Sequence, residues 1–510
     1  MIKSIKASAR IFCIVQRRVA TKYRVQLQNS IHYANPLGIY PLTYNFSTKK
    51  PDINNNTGID KARKLEYDGV NLLNENKIQE AIAFFENALG IRSQATKEDN
   101  IEMPQLYDSL YHILSQSSEL EKLLALEKHR LEIISKQFGD NSPSYGSCSK
   151  NIGHVLNLLK RYSEAKDYLS KASQVLTATS SKTYEHAIEL EALSADLLLC
   201  GQFKEGLSVS LQACQIFNEL EKTQPEKSPA ANAANAFLNL SISLHSLKEF
   251  AQAKEAAQLS VQYFKRLSYS HEDYPGALLK LGQACVTSND IDAAESHLNN
   301  ALELLVARKD PRPIDKVRIA ETLDLLGRVY FLKAEYEKAL GYQKRGFGML
   351  RQIYGDDEFF VIVSQFYIGK NYLMLERYPE ALAVYEKVLS DLLRLKIKDG
   401  EVVNVYCDMG TALYHLGRNK EALEKLIEGM NISNEVGGID QSQLARLMYH
   451  TGAVYGALEQ HENAVNYLRS ALPIIKEIFG SDNELTKACR TELRKYRKLV
   501  NEANNQNQQQ

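Results

Sequence analysis

One interval governs this chain. From Gly69 onward a small residue is followed twelve positions later by a second and seven beyond that by a third, and the pattern occurs nine times in 510 residues. The triplets are Gly69, Ala81 and Ala88; Gly153, Ala165 and Ala172; Ser194, Gly206 and Ala213; Ser241, Ala253 and Ser260; and Gly282, Ala294 and Ala301. They continue as Gly327, Ala339 and Gly346; Gly369, Ala381 and Val388; Gly410, Ala422 and Gly429; and Gly452, Ala464 and Ala471. First markers mostly lie 41 or 42 residues apart, so the 84 residues between Gly69 and Gly153 leave room for a tenth, degenerate unit. That unit is expected across residues 102–137, with Tyr111 at its marker position.

Between markers, leucines and aromatics recur every three or four residues, the period of an amphipathic helix. Gly, Ala or Ser then falls where two helices must approach closely. A bulky residue stands three positions before the second marker in most units, at Ile78, Tyr162, Phe203, Phe250, Ile291, Tyr336 and Tyr378, while Asn419 and His461 depart from the rule. Each unit reads as two helices joined by a tight turn. Such a pair cannot bury its apolar stripe alone, so units must stack. The expected fold is all-α: a right-handed superhelical solenoid of about ten helix pairs over residues 61–480, closed by a capping helix at 481–500 that contains LTKACRTELRKYRKLV. The polar, low-complexity residues 501–510 are expected to be a disordered tail.

Charge separates the two ends of the chain. Residues 1–51 hold nine Lys or Arg and no acid, which leaves 53 bases against 62 acids in the remainder, a net of −9. The opening MIKSIKASARIFCIVQRRVATKYRVQ spaces Ile2, Ile5, Ala9 and Phe12 at helical intervals among basic and Ser residues. That pattern predicts a mitochondrial presequence over residues 1–50, matrix-directed and removed before residue 55, with an Asn-rich linker at 51–60. Should this end stay attached, it is a basic tail on a cytosolic protein. Its apolar run IFCIV is too short for a secretory signal, and no run of 18 or more apolar residues offers a transmembrane span. Seven cysteines stand singly without a CxxC pair, which fits free thiols in a reducing compartment.

Chemistry-bearing clusters dissolve on inspection. Cys285, Asp290, Asp292, Glu295 and His297 crowd one stretch, yet at about 100° per residue His297 points well away from Asp292 and Glu295. Asp290 is expected near a helix start, where an acid meets backbone N–H groups. HEDYP at His271 and HENAV at His461 lack the second His of a zinc helix, and no phosphate-loop, dinucleotide or nucleophile-elbow motif occurs. Neither metal nor cofactor is expected. Once the repeats and ends are set aside, no stretch of about 100 residues is left for a catalytic domain, so the expectation is a protein that is not an enzyme. Basic residues do not recur at one repeat position, so no phosphate-tracking stripe for nucleic acid is expected.

The markers resemble the tetratricopeptide repeat, and the period of about 42 residues with links such as FGDNSPSYG, IYGDDEFF and IFGSDNEL is similar to the repeats of kinesin light chains. No heptad coiled coil precedes the array as in that family. The resemblance implies a concave groove lined by the first helices, at three before and one and four after each first marker. These positions include Lys150, His154 and Asn157; Leu238, Ile242 and His245; Asp324, Arg328 and Phe331; Phe366, Lys370 and Leu373; Cys407, Thr411 and Tyr414; and Tyr449. Phe331, Phe366, Tyr414 and Tyr449, with Arg328 and Lys370, are the candidate anchor for a partner, because aromatics and Arg dominate binding hot spots; the alternative is that some pack between repeats. Lys150 and His154 do not complete the family's carboxylate clamp. The implied function is a mitochondrial scaffold or adaptor that holds protein segments and helps assemble a complex. The alternatives are a cytosolic cargo adaptor like a kinesin light chain and an organellar RNA-binding repeat protein.

Overall fold

The structure is a computed structural model that describes residues 58–74, 77–92, 111, 120–223, 230–267, 271–397, 400–436 and 440–509. The expected presequence and most of the linker lie outside the described residues, as do residues 102–119 of the expected degenerate unit apart from Tyr111. Among the described residues there are twenty helices and no strand. They fall into two compact units that divide in the chain between Ser243 and Leu244.

The first unit contains the pair α1 (Gly58–Asn74) and α2 (Ile78–Arg92), the lone second helix α3 (Leu120–Phe138), and the pairs α4 (Pro143–Leu158) with α5 (Tyr162–Thr177) and α6 (Tyr184–Leu199) with α7 (Phe203–Thr223). Helix α8 (Ala230–Ser246) spans the division. The second unit holds α9 (Phe250–Leu267) and the pairs α10 (Tyr274–Thr287) with α11 (Ile291–Val306), α12 (Pro313–Leu332) with α13 (Tyr336–Tyr354), and α14 (Phe359–Met374) with α15 (Tyr378–Arg394). It ends with α16 (Gly400–His415) and α17 (Asn419–Val436), α18 (Gln441–Ala457) and α19 (His461–Phe479), and the single α20 (Glu484–Gln509).

Each marker has a separate physical task. The first lets a side chain sixteen residues later lie flat on the backbone of the first helix. A Cβ on Gly282 would stand 2.6 Å from Leu298 Cγ, one on Gly410 2.5 Å from Leu426 Cγ, and one on Gly452 2.7 Å from Leu468 Cγ. Gly153 meets Leu169, Gly69 meets Phe85, Gly369 meets Tyr385 and Gly327 meets Gln343 in the same register. Where the marker is Ser194, the residue sixteen on is the small Ser210. The second marker is wholly buried at Ala81, Ala165, Ala253, Ala294, Ala339, Ala381, Ala422 and Ala464, each 0% exposed. A larger side chain there would have to displace the partner helix.

The turn between paired helices follows one rule that the sequence did not announce. The residue seven after the first marker is left-handed in eight units: Lys160, Gly201, Lys248, Asn289, Ala334, Glu376, Gly417 and Glu459 all have φ between 59° and 74°. The next residue's N–H reaches back five places, as from Arg161 to the Leu156 carbonyl at 2.8 Å and from Arg418 to Leu413 at 3.0 Å. This closure satisfies carbonyls that the helix end leaves open. It also bends the following residue out of the geometry that aims a side chain at helix N–H groups. Asp290, at φ −94° and ψ 76°, makes no side-chain cap bond. It nevertheless stands at the helix start as expected: the hydrogen bond from Lys254 Nζ at 2.7 Å, and after it the Ala293 backbone N–H, lower the carboxyl's pKa against the cost of burial. Three first helices begin in extended backbone and are capped by a side chain, that of Ser142, Thr183 or Asp440, whereas Asp273 and Glu358 at the starts of α10 and α14 make no such bond.

The carboxyl end departs from its expected boundaries. Helix α20 runs from Glu484 to Gln509, through the residues expected as a disordered tail. No Gly or Pro interrupts that span, so nothing in the backbone stops the helix. Its Cys489, Leu493 and Tyr496 join a core with Ala464, Leu468, Ala471 and Ile475 and cover the last pair. No described helix is long and apolar enough to cross a membrane.

Candidate functional site

Successive first helices present their groove positions side by side, and side chains from neighbouring repeats settle most of the charges there. In the first unit, Lys150 Nζ lies 3.7 Å from Glu189. His154 Nδ1 lies 2.9 Å from Asp196 Oδ1, and Asn157 donates to the same carboxylate at 3.2 Å and in turn accepts from Cys200 Sγ. Burial disfavours a charge on His154, but the charge and hydrogen bond of Asp196 outweigh it and raise the imidazole's pKa. Asn157 is 2% exposed and belongs to the seam between repeats. These expected groove residues are thus already engaged.

The second unit repeats the device with a register of its own. Lys280, two before its marker, meets Glu321, six before the next, at 3.1 Å. Asp408 and Arg446 occupy the same two positions with reversed charge, at 2.7 Å. Arg328 pairs with Asp324 at 2.8 Å and covers the Tyr367 ring at 4.3 Å, while Ser364 Oγ donates to Asp324 at 2.9 Å.

Lys370 is the exception. Its ammonium stands 5.9 Å from the Phe331 ring, 5.6 Å from Phe366 and 5.9 Å from Tyr367. Among the described residues no carboxylate lies within ion-pair distance. Burial, with a contribution from Arg446, lowers its pKa against the pull of Asp408, whose Oδ1 is committed to Arg446. Aromatic faces attract a cation but do not replace a carboxylate.

The expected aromatic anchors divide into two groups. Phe366 is 6% exposed and lies 5.7 Å from the buried Tyr385 ring, so it packs the seam and does not offer a free face. His245, 5% exposed and edge-on to Phe250, is also interior, and burial pushes its pKa down to about 4. Phe331 is half-buried, edge-on to Tyr336 at 5.5 Å. Tyr414 and Tyr449 are half-buried and continue the groove toward α20. There Tyr449 Oη donates to Glu492 Oε1 at 3.4 Å.

Residues not singled out from the sequence complete the surface: Tyr367, Asp408, Arg446, His450 and Glu492. Burial beside Arg446 holds His450 down at about 3, and burial raises the Glu492 carboxyl. The reversed charge pair at one register was the signal available for Asp408 and Arg446. Nothing local marks Glu492, because it lies beyond the last repeat. Among the described residues no three His, Cys, Asp or Glu side chains gather as a metal site.

Residues 318–392 and 401–489 match the tetratricopeptide repeat family. These two stretches carry tetratricopeptide repeats. The chain is similar to the kinesin light chain-related 3 protein of Arabidopsis thaliana, 21% identical over 392 residues, 76% of this chain. The matched region spans 58% of that relative's length. Among solved structures, the apo quorum sensor NprR from B. thuringiensis aligns over 74% of this chain and 99% of its own with a TM-score of 0.51 at 13% identity, a likeness of fold. Nearly identical repeats from a putative kinesin light chain of P. anserina align over 41% of this chain and 96% of theirs, with a TM-score of 0.34 and 15% identity. The tetratricopeptide array is a scaffold suited to protein–protein interaction.

Proposed function

We propose that this tetratricopeptide protein is a non-catalytic scaffold of the mitochondrial matrix, and that first helices α12 to α18 with α20 hold a segment of a partner protein. Lys370 carries the reading. Other groove cations are neutralised from neighbouring turns or repeats, whereas Lys370 sets an ammonium among rings with no acid of its own. A half-buried charge without a partner costs stability, and a ligand carboxylate would offset that cost. Phe331, Tyr414 and Tyr449 supply half-buried aromatic surface on either side. The mitochondrial part rests on the acid-free, basic residues 1–51.

The test has two arms. A fluorescent protein fused behind residues 1–60 should enter mitochondria and be shortened there; a diffuse cytosolic signal would sink the localisation. Proximity labelling by the intact protein should lose partners in Lys370→Ala/Tyr414→Ala, and an unchanged partner set would remove the groove assignment. A cytosolic cargo adaptor is the second reading, favoured by the similarity to a kinesin light chain-related protein. It predicts partners on vesicles and an unprocessed amino end.

A further inference from the structure

The groove of the second unit has two unlike ends. At α14 stands the cation Lys370. At α20 stands Glu492, whose Oε1 accepts from Tyr449 and whose Oε2 is buried without a hydrogen-bond partner among the described residues. No cation lies within ion-pair distance of that carboxylate among the described residues; the nearby Lys495 is exposed and lies over the Tyr496 ring at 5.3 Å. A buried carboxylate oxygen left unmatched is costly, as is an unmatched ammonium.

The two are joined by a continuous surface. Asp408 and Arg446 face Lys370 and are closed on each other at 2.7 Å, and His450 stands beside both. His450 lies edge-on to Tyr449 at 5.1 Å, and Tyr414 and Tyr449 both face Glu492. The surface between the ends is therefore aromatic and internally neutral. Charge can discriminate only at its two extremes.

We propose that this groove selects a bipolar segment of a partner protein, with an acidic side chain seated at Lys370 and a Lys or Arg seated at Glu492, so that the segment binds in one direction only. This rests on the groove reading above and adds polarity and spacing to it. Three helix-to-helix steps of about 9–10 Å separate α14 from α20, about 28 Å in all. An extended chain rising about 3.3 Å per residue crosses that in about eight or nine residues. Reversing the segment would place like charges together at both ends, which electrostatic complementarity forbids.

The experiment is selection of random sixteen-residue peptides displayed on phage against the full chain. Selected peptides should carry one acid and one base about eight or nine residues apart, in a constant order. Against Lys370→Glu the acid should change to a base while the other position stays; against Glu492→Lys the base alone should change. A peptide selected on the wild type should lose about tenfold or more in affinity for either charge-reversed chain. The milder Lys370→Gln and Glu492→Gln should each lose less, and the intact helical signal of all four variants checks folding. If peptides are selected but their charges ignore all four substitutions, bipolar recognition is overturned and the groove reading stands. If no peptide is enriched above background, both fail.

Discussion

Gly369 lies against the ring of Tyr385, sixteen residues later, so closely that a Cβ would stand 2.6 Å from Cε1. The ring is wholly buried and cannot retreat. Gly369→Ala should destabilise the array by about 1–3 kcal/mol, because overpacking outweighs alanine's better helix propensity. Gly348→Ala on α13 meets nothing within 4 Å and should stabilise by about 0.5–1 kcal/mol. Thermal melts of the pair check the contrast, and two shifts of the same sign would refute it.

The left-handed turn residue should respond in the opposite sense. Glu376 has φ 59° and Ala334 φ 62°. A side chain in that conformation costs about 1–2 kcal/mol, partly offset by the extra freedom glycine has when unfolded. Glu376→Gly and Ala334→Gly should each gain up to about 1 kcal/mol in urea denaturation. A loss in both would mean that the turn is held by those side chains.

Asp408 is 2% exposed at its side chain and Arg446 19%. Arg446→Met strands the carboxylate in the seam between α16 and α18 and should cost about 2–4 kcal/mol. Asp408→Leu/Arg446→Met, which removes both charges, should cost clearly less. Equal losses in a double-mutant cycle would show that packing, and not charge, dominates the seam.

Asp196 raises the pKa of His154 in the folded chain. The imidazolium's stabilising contribution is therefore fully present below the unfolded value of about 6.5 and fades as pH rises through the higher folded value. His154→Gln should cost more at pH 5.5 than at pH 9, read as the shift in urea midpoint at each pH. A cost that grows with pH would reverse the assigned sign.

What could be read from residue order follows from distance along the chain. The marker and its packing partner sit sixteen residues apart in one hairpin, as do Gly282 with Leu298 and Gly410 with Leu426. The left-handed turn is as local, yet Lys160, Ala334 and Glu376 are not residues that announce that conformation. The run of α20 to Gln509 is masked in the sequence by low-complexity Asn and Gln, which read as tail although nothing in them ends a helix.

The sequence by itself determined the helix pair, its turn, its period and hence the stacked array, because each depends on contacts inside one repeat. Tertiary structure alone decided which groove residues are free to act. Asp408 and Arg446 lie 38 residues apart, and His154 and Asp196 lie 42 apart, so each charge is matched from a different repeat. Phe366 is taken inward by Tyr385, and Lys370, four residues on, is left among rings without an acid. Spacing sets where a side chain stands on its helix. Only the neighbouring repeat sets whether its charge is already satisfied.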